Sequence, residues 1–448
     1  MGKIASFSTP LLFQSKLLCF SLTFLSLSLL FAARFTFSAT KCIFRSSPFD
    51  PLQGPLFFYP PSYAHHKHPI PTTRSSCKSP IFFSDYWQVL DEIRTISAPS
   101  PPPPPLRFLQ RNAPTFGGNL SFPQRFSYLK HGDRGFGIPC GFFKHFPVSS
   151  LDRGAMEKCR GVVVVSAVFN DHDKIRQPMG LGSKTLDLAC FFMFVDDATL
   201  NRLRSDNLIA RRKSSEKLQI GAWTIVKVWS GQLYENPAMN GVIAKYLVHR
   251  LFPNSKYSIW IDAKLQLVVD PLLLIHSLLI KESADMAVSK HPFFLHTVEE
   301  AAATARWRKW PDVNGIRIQM ETYCEHGLQP WSSDKPYPSD VPDSALILRK
   351  HSVPTNMFSC LIFNELEGFN PRDQLPFAFV RDKMRPKLRL NMFEVEVFEQ
   401  VAIEYRHNTR IKHSGGPRYR AATSALFANE TSGKCDAYLL DMWGEPHD

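Results

Sequence analysis

Between about Cys140 and Tyr405 the chain alternates short apolar runs with segments of helical periodicity. Four runs (GVVVVSAVF, CFFMFV, WTIVKVW and YSIWI) are rich in β-branched or aromatic residues and too short for ordinary helices, so each predicts a buried strand. Residues Met239–Leu251 carry apolar side chains at helical intervals before Pro253. A helix starting at Pro271 and a fifth strand, DMAVS, follow. This alternation predicts an α/β domain with a mainly parallel sheet flanked by helices.

Polar side chains follow these strands at the point where each strand ends. Because the carboxyl ends of parallel strands share one edge of a sheet, the pattern predicts a ligand site there. Singly, each acid or amide could instead cap the following helix or turn, but the repetition at five strands favours a shared site. The candidate residues for substrate binding are Asn170, Asp171, Asp196, Asp197, Asp262, Lys264, Lys290 and His291.

The amino-terminal region predicts membrane attachment through one helix. Residues 17–33 are uncharged between Lys16 and Arg34 and would span about 25 Å as a helix, which suits a thin bilayer. A cleaved signal peptide and an organellar transit peptide are the alternatives. The following region holds 16 of the 35 prolines within residues 43–135, including Pro101–Pro105, which predicts an extended stem; an unstructured insertion is the alternative.

The predicted organisation has five parts. They are a cytosolic tail (1–16), a signal-anchor helix (17–35), a Pro/Ser/Phe-rich stem (36–135), a catalytic domain (136–412) and a C-terminal tail (413–448).

Composition and charge restrict the class of partner. The chain is 44% hydrophobic and 21% charged, as in folded globular proteins. Its net charge is +13, but the first 84 residues carry +7 of it and no basic block follows, so a nucleic-acid partner is not expected. Nine cysteines without metal-type spacing predict at most one or two disulfides, with Cys140–Cys159 the first pair to test. Asn119 and Asn429 begin glycosylation sequons.

Short motifs narrow the class of α/β protein. The chain has no GxGxxG after a strand, no GxxxxGK[ST] and no GxSxG, so dinucleotide-binding, P-loop and α/β-hydrolase sites are disfavoured. The stretch Ile261-Asp262-Ala263-Lys264 places an acid just after a hydrophobic strand. This is similar to the aspartate motif of nucleotide-sugar glycosyltransferases.

Longer motifs carry a resemblance to a family. The stretches CGFFKHFPVSS, VFNDHDKIRQP, NPAMNGVIAKYLVHRLFPNSKYSIWIDAKLQL, SKHPFF, RIQMETYCEHGLQPW, DVPDSALILRKHS and FNPRDQLPFAFVRD resemble the plant mucilage-related probable hexosyltransferases over residues 136–412. The resemblance implies a glycosyltransferase-A-like domain in a single-pass type II Golgi membrane protein, with the catalytic domain luminal. It also implies a nucleotide-sugar donor, a pectin or mucilage polysaccharide acceptor, and other Golgi glycosyltransferases as partners.

That family includes a relative described as a ceramidase, so the reaction stays open at this stage. A ceramidase-like lipid amidase and a non-catalytic carbohydrate-binding scaffold are the alternatives to a hexosyltransferase.

The aspartate motif departs from its usual form, because Lys264 stands where a second carboxylate is expected. Asp262 is the candidate ligand for Mn²⁺ or Mg²⁺, but one carboxylate is a poor cage for either ion. The Lys264 ammonium could instead neutralise the diphosphate directly. The sequence leaves metal-assisted and metal-independent catalysis equally open.

Two further groups complete the candidate site. Arg372-Asp373-Gln374 precedes the predicted helix PFAFV, where Asp373, with Asp262 a candidate catalytic residue, could bind the donor or act as general base. The alternative for Asp373 is a helix-terminal acid. Arg349 follows the predicted strand SALIL and could meet a diphosphate or an anionic acceptor; the alternative is a solvated strand end.

Overall fold

The computed structural model describes residues 15–36, 41–46, 49–61, 63, 69–70, 77–98, 106–129, 137–209, 217–406 and 435. Pro101–Pro105, the sequon at Asn429 and all of the predicted C-terminal tail except residue 435 lie outside these ranges.

The secondary structure alternates as the apolar runs predict. The strands are β1 (Ile43–Arg45), β2 (Ile81–Phe83), β3 (Val162–Val168), β4 (Ala189–Val195), β5 (Leu218–Ile220), β6 (Trp223–Lys227), β7 (Tyr257–Ile261), β8 (Leu265–Leu267), β9 (Met286–Lys290), β10 (Pro342–Lys350), β11 (Leu390–Phe393) and β12 (Ala402–Glu404). The α-helices are α1 (Lys16–Thr36), α2 (Tyr86–Ser97), α3 (Phe122–Leu129), α4 (Ser150–Lys158), α5 (Asp197–Ser205), α6 (Pro237–Tyr246), α7 (Val248–Leu251), α8 (Pro271–Ile275), α9 (Thr297–Arg306), α10 (Val313–Glu325), α11 (Val353–Gly368), α12 (Gln374–Lys383) and α13 (Val395–Val401).

The main sheet has the strand order β11-β9-β10-β7-β3-β4-β6-β5. Strand β3 is parallel to β4 and β7, β4 is parallel to β6, and β9 is parallel to β11. Strand β10 is antiparallel to both β7 and β9, and β5 is antiparallel to β6. The α/β class with a central sheet is therefore confirmed, but the sheet is mixed. A fully buried strand carries the same apolar run in either direction, so the sequence could not show how β10 runs.

The topology brings several strand ends to one edge of the sheet. The chain passes outward from β3 to β4 and β6 and then returns to β7 on the other side of β3, which makes a topological switch point between β3 and β7. Because β7 and β9 are both antiparallel to β10, their carboxyl ends lie beside the amino end of β10. We call this side of the sheet the strand-end edge.

Successive residues of the central strands point to opposite faces, as the two-residue period of a strand requires. Val163 and Val165 of β3 pack in one core together with side chains of α6 and α11. Val162 and Val164 pack in the second core, together with α8 and α2. The sheet is thus buried on both faces.

The described parts of the predicted stem are folded against the domain. Strand β1 pairs with β2, Cys42 is disulfide-bonded to Cys77, and helix α2 buries Val89, Leu90 and Ile93 in the second core. These three residues have the spacing of an amphipathic helix, which prevails over the proline-rich composition of the surrounding segment. Packing of the domain therefore begins well before residue 136.

Two helices differ in detail from the sequence patterns. The helix predicted over Met239–Leu251 is divided into α6 and α7, and the helix starting at Pro271 continues from α8 into a π-helical turn, His276–Ile280. Helix α1 occupies the place of the predicted anchor. In the described ranges no helix combines the length and the apolar character needed to cross a membrane.

The structure contains more disulfides than the sequence predicted. Besides Cys42–Cys77, the bonded pairs are Cys140–Cys360, Cys159–Cys190 and Cys324–Cys435. Cys140 is thus bonded to a residue of α11 and not to Cys159. Cys159 lies just before β3, whose neighbour β4 carries Cys190, so strand pairing brings these two together. Such pairings depend on tertiary contacts that cysteine spacing does not reveal.

Candidate functional site

The side chain of Lys245 joins two predicted site carboxylates at the strand-end edge. Its Nζ lies 2.6 Å from Oδ2 of Asp373 and 3.7 Å from Oδ1 of Asp262. Asp262 follows β7, Asp373 precedes α12, and Lys245 belongs to α6, so three elements meet at one ammonium. The Lys245 and Asp373 side chains are only 11% and 10% exposed, whereas that of Asp262 is 30% exposed.

Asp373 is held entirely by internal partners. Tyr246 Oη donates to its Oδ2 at 2.9 Å, and Ser344 Oγ donates to its Oδ1 at 2.8 Å. Burial would raise the pKa of Asp373, but the Lys245 ammonium and these two hydrogen bonds hold it below its ordinary value. With both oxygens engaged, Asp373 is placed to position Lys245 and not to exchange a proton. We name Lys245, Tyr246, Asp262, Ser344 and Asp373 the Lys245 group.

Asp262 has a different environment within the same group. Its backbone N–H donates to the carbonyl of Ala345 at 2.8 Å, which fixes it beside β10. The indole N–H of Trp260 donates to its Oδ1 at 2.7 Å. The rest of the carboxylate faces the strand-end edge, so Asp262 can accept hydrogen bonds from a bound molecule.

Lys264 has an internal partner in the structure. Its Nζ lies 2.8 Å from Oε1 of Glu404 in β12. Burial would lower the pKa of Lys264, but the carboxylates of Asp262, Glu404 and Asp343 raise it above its ordinary value. Lys264 is therefore a charged residue with an internal partner, and the cation between the two predicted catalytic acids is Lys245.

Asp343 is a carboxyl at this edge whose pKa is raised by its surroundings. It lies near the start of β10, where its Oδ1 accepts the backbone N–H of Ala345 at 3.2 Å. Burial raises its pKa to about 6, against the lowering effect of the Lys264 charge. A carboxyl that titrates near neutral pH can act as a general base or acid.

A second charged group surrounds the fully buried carboxylate of Glu300 in α9. Its Oε1 lies 2.6 Å from Arg372 Nη2 and 3.5 Å from Lys309 Nζ, and it accepts a hydrogen bond from Thr304 Oγ1 at 3.0 Å. His291 Nε2 lies 3.8 Å from its Oε2. We call Glu300, Arg372, Lys309, Thr304 and His291 the Glu300 group.

His291 is neutral in this setting. Burial lowers its pKa to about 4, although Glu300 acts in the opposite direction. Its Nδ1 accepts the backbone N–H groups of Phe293 and Phe294 at 3.2 and 3.1 Å, which assigns the ring proton to Nε2, on the side of Glu300. The neighbouring Lys290 is paired with Glu394 at 2.6 Å.

The polar residues after β3 and β4 form a separate hydrogen-bonded turn. Asp196 accepts the backbone N–H groups of Thr199 and Asn170, both at 2.8 Å, and so caps α5. The N–H of Asp171 donates to Thr199 Oγ1 at 3.0 Å. Asp197 is paired with Lys227 at 2.6 Å. Helix capping thus accounts for Asp196, while Asn170 stays exposed at the edge.

Arg349 is not at the surface where an anion could reach it. The residue is 1% exposed, and its guanidinium lies 5.2 Å from the centroid of the Tyr246 ring. Among the described residues none hydrogen-bonds its Nε, Nη1 or Nη2, and burial lowers its pKa to about 10. Because β10 is covered on both sides by β7 and β9, a residue near its end is enclosed. Gln374 is half-buried at the first position of α12.

The donor set at Asp262 does not fit Mn²⁺ or Mg²⁺, which prefer several oxygen ligands. Oδ1 of Asp262 already accepts the Trp260 N–H and faces the Lys245 ammonium, and both oxygens of Asp373 are engaged. Positive charge between the two carboxylates is thus supplied by the chain itself.

The sequence patterns missed several residues of the two groups and their neighbours at the strand-end edge, namely Lys245, Tyr246, Ser344, Asp343, Glu404, Glu300 and Lys309. Lys245 had a usable signal, because it is a single charge within the apolar stretch GVIAKYL. A charged side chain in such a stretch is seldom buried unless it is paired. Asn119, the first residue of the earlier sequon, is exposed in a loop.

An α/β fold with charged groups at the strand-end edge is typical of enzymes that bind a ligand at the ends of their strands, and comparison with known proteins gives the family. A family model described as TOD1/MUCI70, glycosyltransferase-like domain, matches residues 107–407. The chain belongs to this family, which confirms the resemblance carried by the long motifs.

Two relatives from Arabidopsis thaliana carry different names. The chain is 57% identical over 464 residues to alkaline ceramidase TOD1, covering 99% of this chain and all of that one. It is 37% identical over 274 residues to probable hexosyltransferase MUCI70, covering 58% of this chain and 46% of that one.

Similarity to solved structures is distant. Mouse xyloside xylosyltransferase 1 superposes with a TM-score of 0.28 at 8% identity, covering 52% of this chain and 84% of that one. The bifunctional glycosyltransferase WbbM gives 0.27 at 11% identity, covering 52% and 38%. Superpositions this weak carry no argument about the chain.

Replacing Asp343 with Asn tests whether this carboxyl titrates near pH 6. Because its pKa is higher in the folded protein than in the unfolded chain, the folded state binds the proton more tightly. The group therefore lowers the free energy of unfolding as pH rises from about 4 to about 6. We expect this fall to be missing in Asp343→Asn when urea unfolding is measured from pH 4 to 7. Glu325→Gln, exposed on α10, is the control; the same pH dependence in Asp343→Asn and the parent would contradict the raised pKa.

Proposed function

We propose that the protein is a hexosyltransferase that moves a sugar from a nucleotide-sugar donor to a polysaccharide acceptor. The observation that carries the proposal is the Lys245 group, in which an ammonium joins Asp262 and Asp373 at the strand-end edge. This edge adjoins the switch point between β3 and β7, where ligands of open α/β sheets bind. Membership of a glycosyltransferase-like family supports the same reading.

In this proposal each residue at the strand-end edge has a separate role in sugar transfer. Asp262, which is partly exposed, accepts hydrogen bonds from hydroxyl groups of the nucleotide-sugar donor. Asp343, with a pKa of about 6, takes the proton from the acceptor hydroxyl as the glycosidic bond forms. Asp373, Tyr246 and Ser344 keep Lys245 in place, so that its charge holds the Asp262 carboxylate where the sugar of the donor binds.

The acceptor we propose is a cell-wall polysaccharide of the pectin or mucilage type, and the compartment is the Golgi lumen. The relative named probable hexosyltransferase MUCI70 supports the reaction class. Four disulfides in one chain support an oxidising compartment. In this proposal the amino-terminal helix attaches a type II protein to the membrane, and other Golgi glycosyltransferases are its partners.

A second candidate function is hydrolysis of the amide bond of ceramide. The observation that favours it is the 57% identity with a protein named alkaline ceramidase TOD1 over nearly the whole chain. The geometry gives it less support. Among the described residues the group of three metal-type ligands that lie together is Cys140, His249 and Cys360, and its two cysteines are bonded to each other.

A donor screen with an Asp262→Asn variant separates the candidates. Because the described parts of residues 42–98 pack against the domain, the full chain is used, with a panel of nucleotide sugars and with ceramide. We expect sugar transfer from one donor by the parent and a loss of about a hundredfold in Asp262→Asn, the scale of one lost contact at a reacting centre. Glu157→Gln, exposed at the opposite edge of the sheet, should keep full activity.

Other outcomes of this screen would support a different function or a different site. Fatty-acid release from ceramide without sugar transfer would establish the amidase instead. Sugar binding with neither reaction would indicate a scaffold. Full transfer by a folded Asp262→Asn protein would remove this residue from the site.

Chelation tests whether Lys245 supplies the positive charge of the site. We expect EDTA to leave sugar transfer within about twofold of its untreated rate, and Lys245→Met to lower it at least a hundredfold, because the two carboxylates then lose their shared cation. Lys158→Met, exposed at the far edge, is the control. Loss of activity with EDTA and its recovery with Mn²⁺ would show that a metal is needed.

Protease protection tests the proposed topology. In intact microsomes that contain the full chain, we expect the domain to resist added protease and to be digested once detergent opens the membrane. A tagged cytosolic tail should be removed in both cases if the helix is an uncleaved anchor. Digestion of the domain without detergent would place it in the cytosol.

A further inference from the structure

The cations of the Glu300 group exceed the negative charge that holds them. Arg372 and Lys309 share one carboxylate oxygen of Glu300, which is fully buried, and His291 beside it is neutral. The group therefore carries a net charge of about +1 at neutral pH. Lys264 lies near enough for its charge to lower the pKa of Lys309 further, although burial is the larger cause.

The two cations are partly open to solvent, although the carboxylate that holds them is fully buried. The side chains of Arg372 and Lys309 are 24% and 31% exposed. Arg372 uses Nη2 for Glu300. A partly exposed guanidinium beside a partly exposed ammonium is suited to an anion with several oxygens.

The position of the group relates it to the Lys245 group. His291 directly follows β9, and Asp262 directly follows β7, and both strands end at the strand-end edge with β10 between them. Two strand spacings amount to about 10 Å, a distance that a nucleotide sugar can bridge. The exposed ring of Trp307, 4.9 Å from Lys309 Nζ, adds a flat surface beside the cations.

We propose that Lys309 and Arg372 form an anion-binding pair for the diphosphate of the donor, with Glu300 holding the two cations in position. The inference rests on the proposed transferase function and adds a binding role for Lys309 and a positioning role for Glu300. A single carboxylate buried between two cations fixes their geometry without cancelling their charge. A diphosphate bound on the open side relieves the repulsion between them.

Calorimetric titration of the full chain with UDP and with inorganic pyrophosphate tests the pair. We expect Lys309→Ala to weaken both affinities by about 5- to 30-fold, as for one charge-assisted contact at a partly exposed site. Lys309→Arg should restore binding to within about threefold of the parent. Lys158→Ala, an exposed lysine at the opposite edge, should bind as the parent does.

Other results would overturn the inference. If pyrophosphate binds Lys309→Ala as tightly as it binds the parent, Lys309 is not part of an anion-binding pair. If pyrophosphate does not bind the parent, the pair does not exist. Weaker binding of an oligogalacturonate with unchanged UDP binding would assign the pair to an acidic acceptor instead. Sugar transfer with an unchanged KM for the donor in Lys309→Ala would sink this inference alone, whereas a parent that transfers no sugar would sink the proposed function.

Discussion

The contact between the Lys245 ammonium and the Asp373 carboxylate is the interaction on which the strand-end edge depends. Both side chains are about nine-tenths buried, so both have lost most of their hydration. Such a pair is tolerated when further hydrogen bonds satisfy the remaining lone pairs and protons, and Tyr246 and Ser344 provide them. Removing Lys245 would leave the Asp373 carboxylate buried without this cation, and removing Asp373 would leave Lys245 with only the longer contact to Asp262.

The same contact explains why distant parts of the chain meet at one place. Lys245 comes from α6, Ser344 from β10 and Asp373 from the start of α12, while Asp262 follows β7. The antiparallel direction of β10 is essential here, because it brings the amino end of that strand beside the carboxyl ends of β7 and β9. Sheet topology and charge pairing therefore specify the same arrangement.

The sequence was sufficient for the central strands and for the edge at which the polar residues gather. Apolar runs predicted β3, β4, β6 and β7, since buried strands must be apolar on both faces. The sequence was not sufficient to predict which side chains pair with each other. Asp373 and Lys264 lie near strand or helix ends, as the sequence predicted. Whether each side chain faces a substrate or an internal counter-ion depends on contacts between residues more than a hundred positions apart. The buried position of Arg349 and the disulfide of Cys140 have the same cause.

Asp373 and Asp262 differ in burial, although the sequence patterns made both of them candidate catalytic residues. Asp373, enclosed and with every oxygen engaged, is kept ionised by its neighbours and has no capacity left for a substrate. Asp262 shares the same ammonium at a longer distance and keeps part of its carboxylate in solvent. In the proposed transferase site these two acids have different roles: Asp373, with both oxygens engaged, fixes the cation, and Asp262 keeps part of its carboxylate for the substrate. The Glu300 group has a similar arrangement, in which a fully buried acid holds two cations that are themselves partly exposed.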